Sequence, residues 1–209
     1  LFTLSFLGLL SGCATDFVSP PHEDYPDLKA AHLARARGDL PVAIHDYRNI
    51  IKENPCCQVR GNPACEAAYM GLGFSLLDAN AVPEAKETFD KAITMFPNCA
   101  GPYTGLGMVF LVMDQPENAL EAFRTALSLD PRCAKALNGY GIAQDMFGNH
   151  EAAQANYRAA MELDPLAISF ESNLALSMAL AGNEREAIRI LERLSRSPNA
   201  TARVRQNLS

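Results

Sequence analysis

Positive charge is thin in this chain: 18 Lys and Arg stand against 24 Asp and Glu, for a net charge of −6, and no basic run interrupts the deficit. Nucleic-acid binding needs a concentrated positive face that releases counterions, so it is not expected. Past residue 13 no apolar stretch is long enough to span a bilayer. Histidine is scarce. His22, His32, His45 and His150 are the full set, and none stands with a Ser, Cys or carboxylate at a nucleophile-and-base spacing. No phosphate-binding glycine loop is present, since Gly71-x-Gly73 and Gly105-x-Gly107 belong to a repeated packing pattern. No Cys-x-x-Cys pair or suitably spaced His supports zinc. No catalytic constellation, cofactor or metal site is expected.

What the chain does have is a period. Pro97, Pro131 and Pro165 lie 34 residues apart and close near-copies of one unit. Tyr69, Tyr103 and Leu137 share a slot, followed by Leu72, Leu106 and Tyr140, and then by Gly73, Gly107 and Gly141. Further on, Ala85, Ala119 and Ala153 align, as do Phe89, Phe123 and Tyr157, and then Ala92, Ala126 and Ala160. Apolar residues at intervals of three, four and seven make one stripe on a helix. Gly and Ala let two helices approach, and the aromatics fill the gap between them. Asn80-Ala81, Asp114-Gln115, Gly148-Asn149 and Gly182-Asn183 sit midway as turns, and Pro83 and Pro116 open the second helices. Each unit is helix, turn, helix, and a fixed period of this size predicts an all-α solenoid.

The ends differ from the repeats. Leu1 to Leu10 is apolar, about the length of a signal-peptide core, and runs into Leu10-Ser11-Gly12-Cys13. That tetrapeptide resembles the bacterial lipoprotein cleavage box. The resemblance implies a signal peptide over 1–12, lipidation of Cys13 and a membrane anchor of several acyl chains. Residues 13–27 contain three prolines and no helical stripe, and read as a tether. The solenoid then occupies 28–209 as about five repeats and the opening of a sixth. Ala14 after the lipidated cysteine, where Asp commonly signals inner-membrane retention in such lipoproteins, implies the periplasmic face of the outer membrane.

Five further cysteines remain. Cys65, Cys99 and Cys133 repeat at 34 residues, just before a unit's first helix. Packed helices lie about 8–10 Å apart while a disulfide needs Cα atoms within about 7 Å, which disfavours direct bridges among the three. Cys56 and Cys57 fall in an insertion, 56–65, that lengthens one inter-repeat link by eight residues. A bridge from either to Cys65 or to Cys99 would staple that loop; small buried thiols are the alternative reading.

The repeat pattern resembles the tetratricopeptide repeat, though the slot where that family favours Trp holds Tyr or Leu, and this chain has no Trp. The resemblance implies a right-handed superhelix whose first helices line a concave groove. Its groove slots carry over to Met70, Phe74 and Leu77, then Thr104, Met108, Leu111 and Val112, then Lys135, Asn138, Ile142, Asp145 and Met146, and then Ser169, Ser172, Leu176 and Leu180. The surface they imply is apolar and rich in Met, a residue suited to adaptable contacts. It does not match the two-carboxylate clamp that some members use on C-terminal peptides. It would hold an apolar segment of a partner, the chain's own tether, or a second copy in a homodimer.

Residues 136–148 and 172–182, with the closing Arg203-Val204-Arg205-Gln206-Asn207-Leu208, are similar to TadD proteins, tetratricopeptide lipoproteins of the tight-adherence (Flp pilus) secretion apparatus. That similarity implies a non-catalytic outer-membrane lipoprotein that assists secretin and pilus assembly. A type IV pilus pilotin, or a periplasmic scaffold regulating cell-wall or outer-membrane machinery, is the alternative.

Overall fold

A computed structural model describes residues 26–53 and 62–196. These residues form ten α-helices and, among the described residues, no strand. The helices come in five pairs. The first two are α1 (Pro26–Ala36) with α2 (Leu40–Glu53) and α3 (Pro63–Asp78) with α4 (Val82–Met95). Next come α5 (Ala100–Val112) with α6 (Pro116–Leu129) and α7 (Ala134–Met146) with α8 (His150–Leu163). The last pair is α9 (Ile168–Leu180) with α10 (Glu184–Ser195). Helix α1 begins at Pro26, two residues before the expected start of the solenoid.

Every helix packs on the next in chain order. Each odd-numbered helix also touches the next odd-numbered one, and no even-numbered pair makes a comparable contact. Touching in one layer and not in the other means a curved stack, with the odd helices on its inner side. The expected helical-repeat solenoid is what the chain forms.

One backbone device makes all five within-pair turns. Gly38, Asn80, Asp114, Gly148 and Gly182 occupy equivalent positions and share a left-handed φ, from 55° at Asp114 to 87° at Gly182. At each, the left-handed residue and its successor donate back into the last turn of the first helix. Gly148 N–H donates to the Asp145 carbonyl at 2.9 Å, and Asn149 N–H to the Gln144 carbonyl at 3.0 Å. This is the Schellman arrangement, which satisfies carbonyls a helix end leaves open. A Cβ on Gly148 would meet nothing within 4 Å, so only backbone strain opposes a side chain there. Gly148→Ala should therefore cost about 1–2 kcal/mol, measured as a shift in chemical unfolding midpoint. Asp114→Gly should move the midpoint the other way.

Packing between pairs rests on rings clasped by glycines. Phe89 on α4 is fully buried; a Cβ on Gly73 of α3 would come within 2.5 Å of its ring, and one on Gly105 of α5 within 2.1 Å. Phe123 on α6 is held in the same way by Gly107 and Gly139. In the last pair the aromatic slot holds Leu191, and the matching glycine slot holds Ala175; both are buried in one cluster. A smaller knob meets a shallower hole.

The cysteine slot is not uniform. Cys99 and Cys133 stand at the caps of α5 and α7, but Cys65 lies inside the first turn of α3. The cause is Asn62, whose side-chain oxygen accepts from the N–H groups of Ala64 and Cys65 at 2.9 and 3.3 Å and starts the helix earlier. Cys65 and Cys99 each take part in a disulfide, and Cys133 is a free thiol. Cys13, Cys56 and Cys57 lie outside the described residues, as does the closing stretch 197–209.

Candidate functional site: the inner layer of the solenoid

The two layers differ in chemistry before any site is considered. Helix α4 alone carries Glu84, Lys86, Glu87, Asp90 and Lys91, with ion pairs along its own surface. Helix α5, at the middle of the inner layer, has no charged residue at all. A charged, solvated helix of the outer layer thus backs an inner layer that is uncharged at its centre.

Most of the residues carried over from the repeat pattern fall into three groups. Phe74, Leu77, Met108, Leu111 and Ile142 are half-buried on the odd helices. Val112, Met146 and Leu176 are exposed, as is Leu180 one turn beyond Leu176. Large apolar side chains left in water on an inner face are what a docking surface needs. Three more are committed to the protein's own packing. Met70 is buried in the core. Asn138 is buried and accepts a hydrogen bond from the Asn173 side chain on α9 at 2.8 Å. Asp145 is the acceptor of a cluster joining three helices. Its Oδ1 takes Ser177 Oγ at 2.7 Å and His150 Nδ1 at 2.8 Å, and its Oδ2 takes the Tyr157 hydroxyl at 2.8 Å. Ser177 and His150 both bond to the carboxylate, so the Ser–His hydrogen bond of a nucleophile pair is not formed. The cluster locks α7, α8 and α9 together.

Two charged groups meet in this layer, and the slots gave no sign that they would. Arg35 of α1 places its guanidinium carbon 5.6 Å from the centroid of Phe74, and Lys135 of α7 places its ammonium 5.9 Å from the same centroid. Lys135 reaches a ring two pairs away, and on α5, lying between, the matching slot holds Gly101. Arg35 is also paired with Asp78 at 2.8 Å, while its Nε is buried with no hydrogen-bond partner among the described residues. The Phe74 ring in turn packs edge-on against Phe89, centroids 5.3 Å apart. Arg35 was hidden by the eight-residue insertion. Subtracting 42 from Leu77, instead of 34, lands on it.

Glu66 lies in the first turn of α3, facing Gly101, and burial pushes its carboxyl up to about 7. The helix N-terminus should favour the charged form, so desolvation is the larger effect here. A raised folded-state value means stability that is present in acid and lost as pH rises through the folded value. Between about pH 4.5 and 7 the protein should lose up to about 3 kcal/mol through this group. Glu66→Gln should flatten that part of the stability–pH curve, as read by urea unfolding at several pH values.

Helix pairs of one design, stacked with an apolar inner face, define a helical-repeat interaction scaffold. The chain belongs to the tetratricopeptide repeat family, which matches residues 28–98 and 104–168. No curated protein matches its sequence. Among solved structures it is similar to a thermophilic TPR protein of Thermus thermophilus, with 20% identity and a TM-score of 0.74 over 88% of this chain and 95% of that one. It is also similar to Pseudomonas aeruginosa pilF, with 27% identity and a TM-score of 0.59 over 68% of this chain and 65% of that one. A third is MamA of Desulfovibrio magneticus, with 18% identity and a TM-score of 0.56 over 80% of this chain and 90% of that one.

Proposed function

We propose that this protein is a non-catalytic scaffold, anchored by lipid on Cys13 at the periplasmic face of the outer membrane, that holds an apolar segment of an envelope protein and so assists assembly of a pilus secretin. The observation that carries the binding role is the uncharged α5, with Met108, Leu111 and Val112 on an inner layer whose outer counterpart is highly charged. The placement rests on Leu10-Ser11-Gly12-Cys13 and on the TadD-like stretches in the C-terminal half. The likeness to the pilus-related pilF protein favours a second reading, in which the same groove serves as a type IV pilus pilotin.

Met108→Glu with Val112→Glu places two charges on the docking surface, one at a side chain half-buried against the core and one at an exposed side chain. Secretin multimers in the outer membrane should fall at least several-fold while the far-ultraviolet dichroism of the purified variant stays unchanged. Multimers at the wild-type level in a folded variant would overturn the reading.

A further inference from the structure

The acids of the inner layer are not all answered by a partner. Asp78 is held by Arg35, Glu171 by Arg193, and Asp145 by its three donors. Glu66 is half-buried, and among the described residues it accepts no hydrogen bond and joins no ion pair. Glu66, Met70, Phe74 and Leu77 follow at intervals of four, four and three, so they form one stripe on α3, and the last three are groove slots. Across that stripe Gly101 of α5 leaves a notch, where a Cβ would stand 3.4 Å from Glu66 Oε1 and 3.5 Å from the Met70 sulfur. The cations of the helices packed on α3 are turned elsewhere. Arg48 of α2 pairs with Glu84, and Lys86 and Lys91 of α4 pair with Asp90 and Glu87. Lys29 of α1 and Lys52 of α2 are exposed and make no ion pair with Glu66, and α5 has no charged residue. Lys135 reaches the ring of Phe74, a residue about 12 Å along α3 from Glu66.

A carboxyl drawn out of water without a partner costs free energy that an incoming cation would recover. We infer that the groove takes a segment of another protein in which a Lys or Arg side chain, at one end of an apolar run, reaches Glu66 beside Gly101 while the run lies across α5, α7 and α9. This rests on the docking role given above and adds to it the charge of the occupant. The chain's own N-terminal segment lacks the complement: residues 13–25 hold Asp16, Glu23 and Asp24 and neither Lys nor Arg. An ion pair formed in this half-buried position is screened less than one on the open surface. Burial holds the free carboxyl up at about 7, and only its ionised form attracts a cation. Apparent affinity should follow the ionised fraction, rising by up to about tenfold from pH 6 to pH 8.

The test uses the full chain and fluorophore-labelled, leucine-rich peptides that are identical apart from Lys, Gln or Glu at one position. One set carries that position at the amino end of the run and a second set at the carboxyl end. Fluorescence anisotropy at pH 8 should rank at least one set Lys, Gln, Glu, with roughly threefold to tenfold between the first and last, since tenfold corresponds to about 1.4 kcal/mol. At pH 6 the ranking should shrink. Glu66→Gln, with unchanged far-ultraviolet dichroism, should remove both the ranking and its pH dependence and leave a common affinity. The histidines are shared by the two proteins, so any part they take cancels in that comparison. A ranking that survives Glu66→Gln would reflect only the net charge of −6 and would overturn the inference. Equal affinity of all the peptides for the unaltered chain, with loss of binding in Met108→Glu, would overturn the inference and leave the docking role standing. Equal affinity untouched by Met108→Glu would overturn both. A ranking that emerges only after Arg203→Gln with Arg205→Gln would show the chain's own closing segment to be the occupant, and would overturn the inference as well.

Discussion

Phe123→Ala should lower stability by about 3–5 kcal/mol, the cost of emptying a fully buried aromatic site that cannot collapse. The ring projects from α6 into a slot whose walls are backbone: a Cβ on Gly107 would stand 2.6 Å from it and one on Gly139 2.3 Å. Backbone walls belong to two helices, α5 and α7, that are held apart by their other contacts, so the cavity would persist. The substitution also falls at the joint between two repeats. Solenoid stability is close to a sum of unit and neighbour terms, so unfolding should lose its single cooperative step as the C-terminal pairs separate from the rest. Denaturant unfolding followed by circular dichroism would show both effects. A loss under about 1 kcal/mol with one sharp transition would mean the clasped rings are not what joins the units.

Asp145→Ala should cost about 2–4 kcal/mol, because it removes one acceptor from three donors at once, Ser177 Oγ, His150 Nδ1 and the Tyr157 hydroxyl, and leaves Ser177 only its longer contact to the His150 carbonyl at 3.4 Å. Asp145→Asn should cost less, since its one carbonyl oxygen still accepts from Ser177 or His150. The loss should be confined to the joint of α7 and α8 with α9, and native-state hydrogen exchange should locate it there. Faster exchange spread evenly over all ten helices would contradict the idea of a local lock. If Asp145 were instead a groove residue, either substitution would change partner affinity and leave stability alone.

How much of this was legible in the sequence depended on whether a residue obeyed the repeat. The period placed the helices, the turns at Asn80, Asp114, Gly148 and Gly182, and the packing glycines, because all of these are imposed by geometry that recurs at every unit. Asn138 and Asp145 fitted the outward-facing slots of the pattern and were still drawn inward. What captured Asn138 is Asn173, which stands on α9 in the slot that Gly71, Gly105 and Gly139 fill elsewhere. What captured Asp145 is a hydroxyl on the Tyr157 ring and a Ser on the next inner helix. Asn173 departs from the repeat, while the Tyr and Ser recur only at Tyr47 and Ser75, and a slot rule averages over such differences. Arg35 escaped for a different reason: it follows the pattern, but the insertion before Cys65 displaces its register by eight residues. Its meeting with Lys135 over Phe74 also depends on the curvature of the stack, which no local spacing encodes.

The measurement closest to the central claim is site-specific photo-crosslinking in cells from single positions on the two layers. A crosslinking residue at Met108 or Val112 should trap an outer-membrane or periplasmic partner, with the secretin as the expected product, and one at Glu121 or Arg124 on the outer face of α6 should trap nothing specific. Products from the α6 positions, with none from Met108 or Val112, would contradict the account.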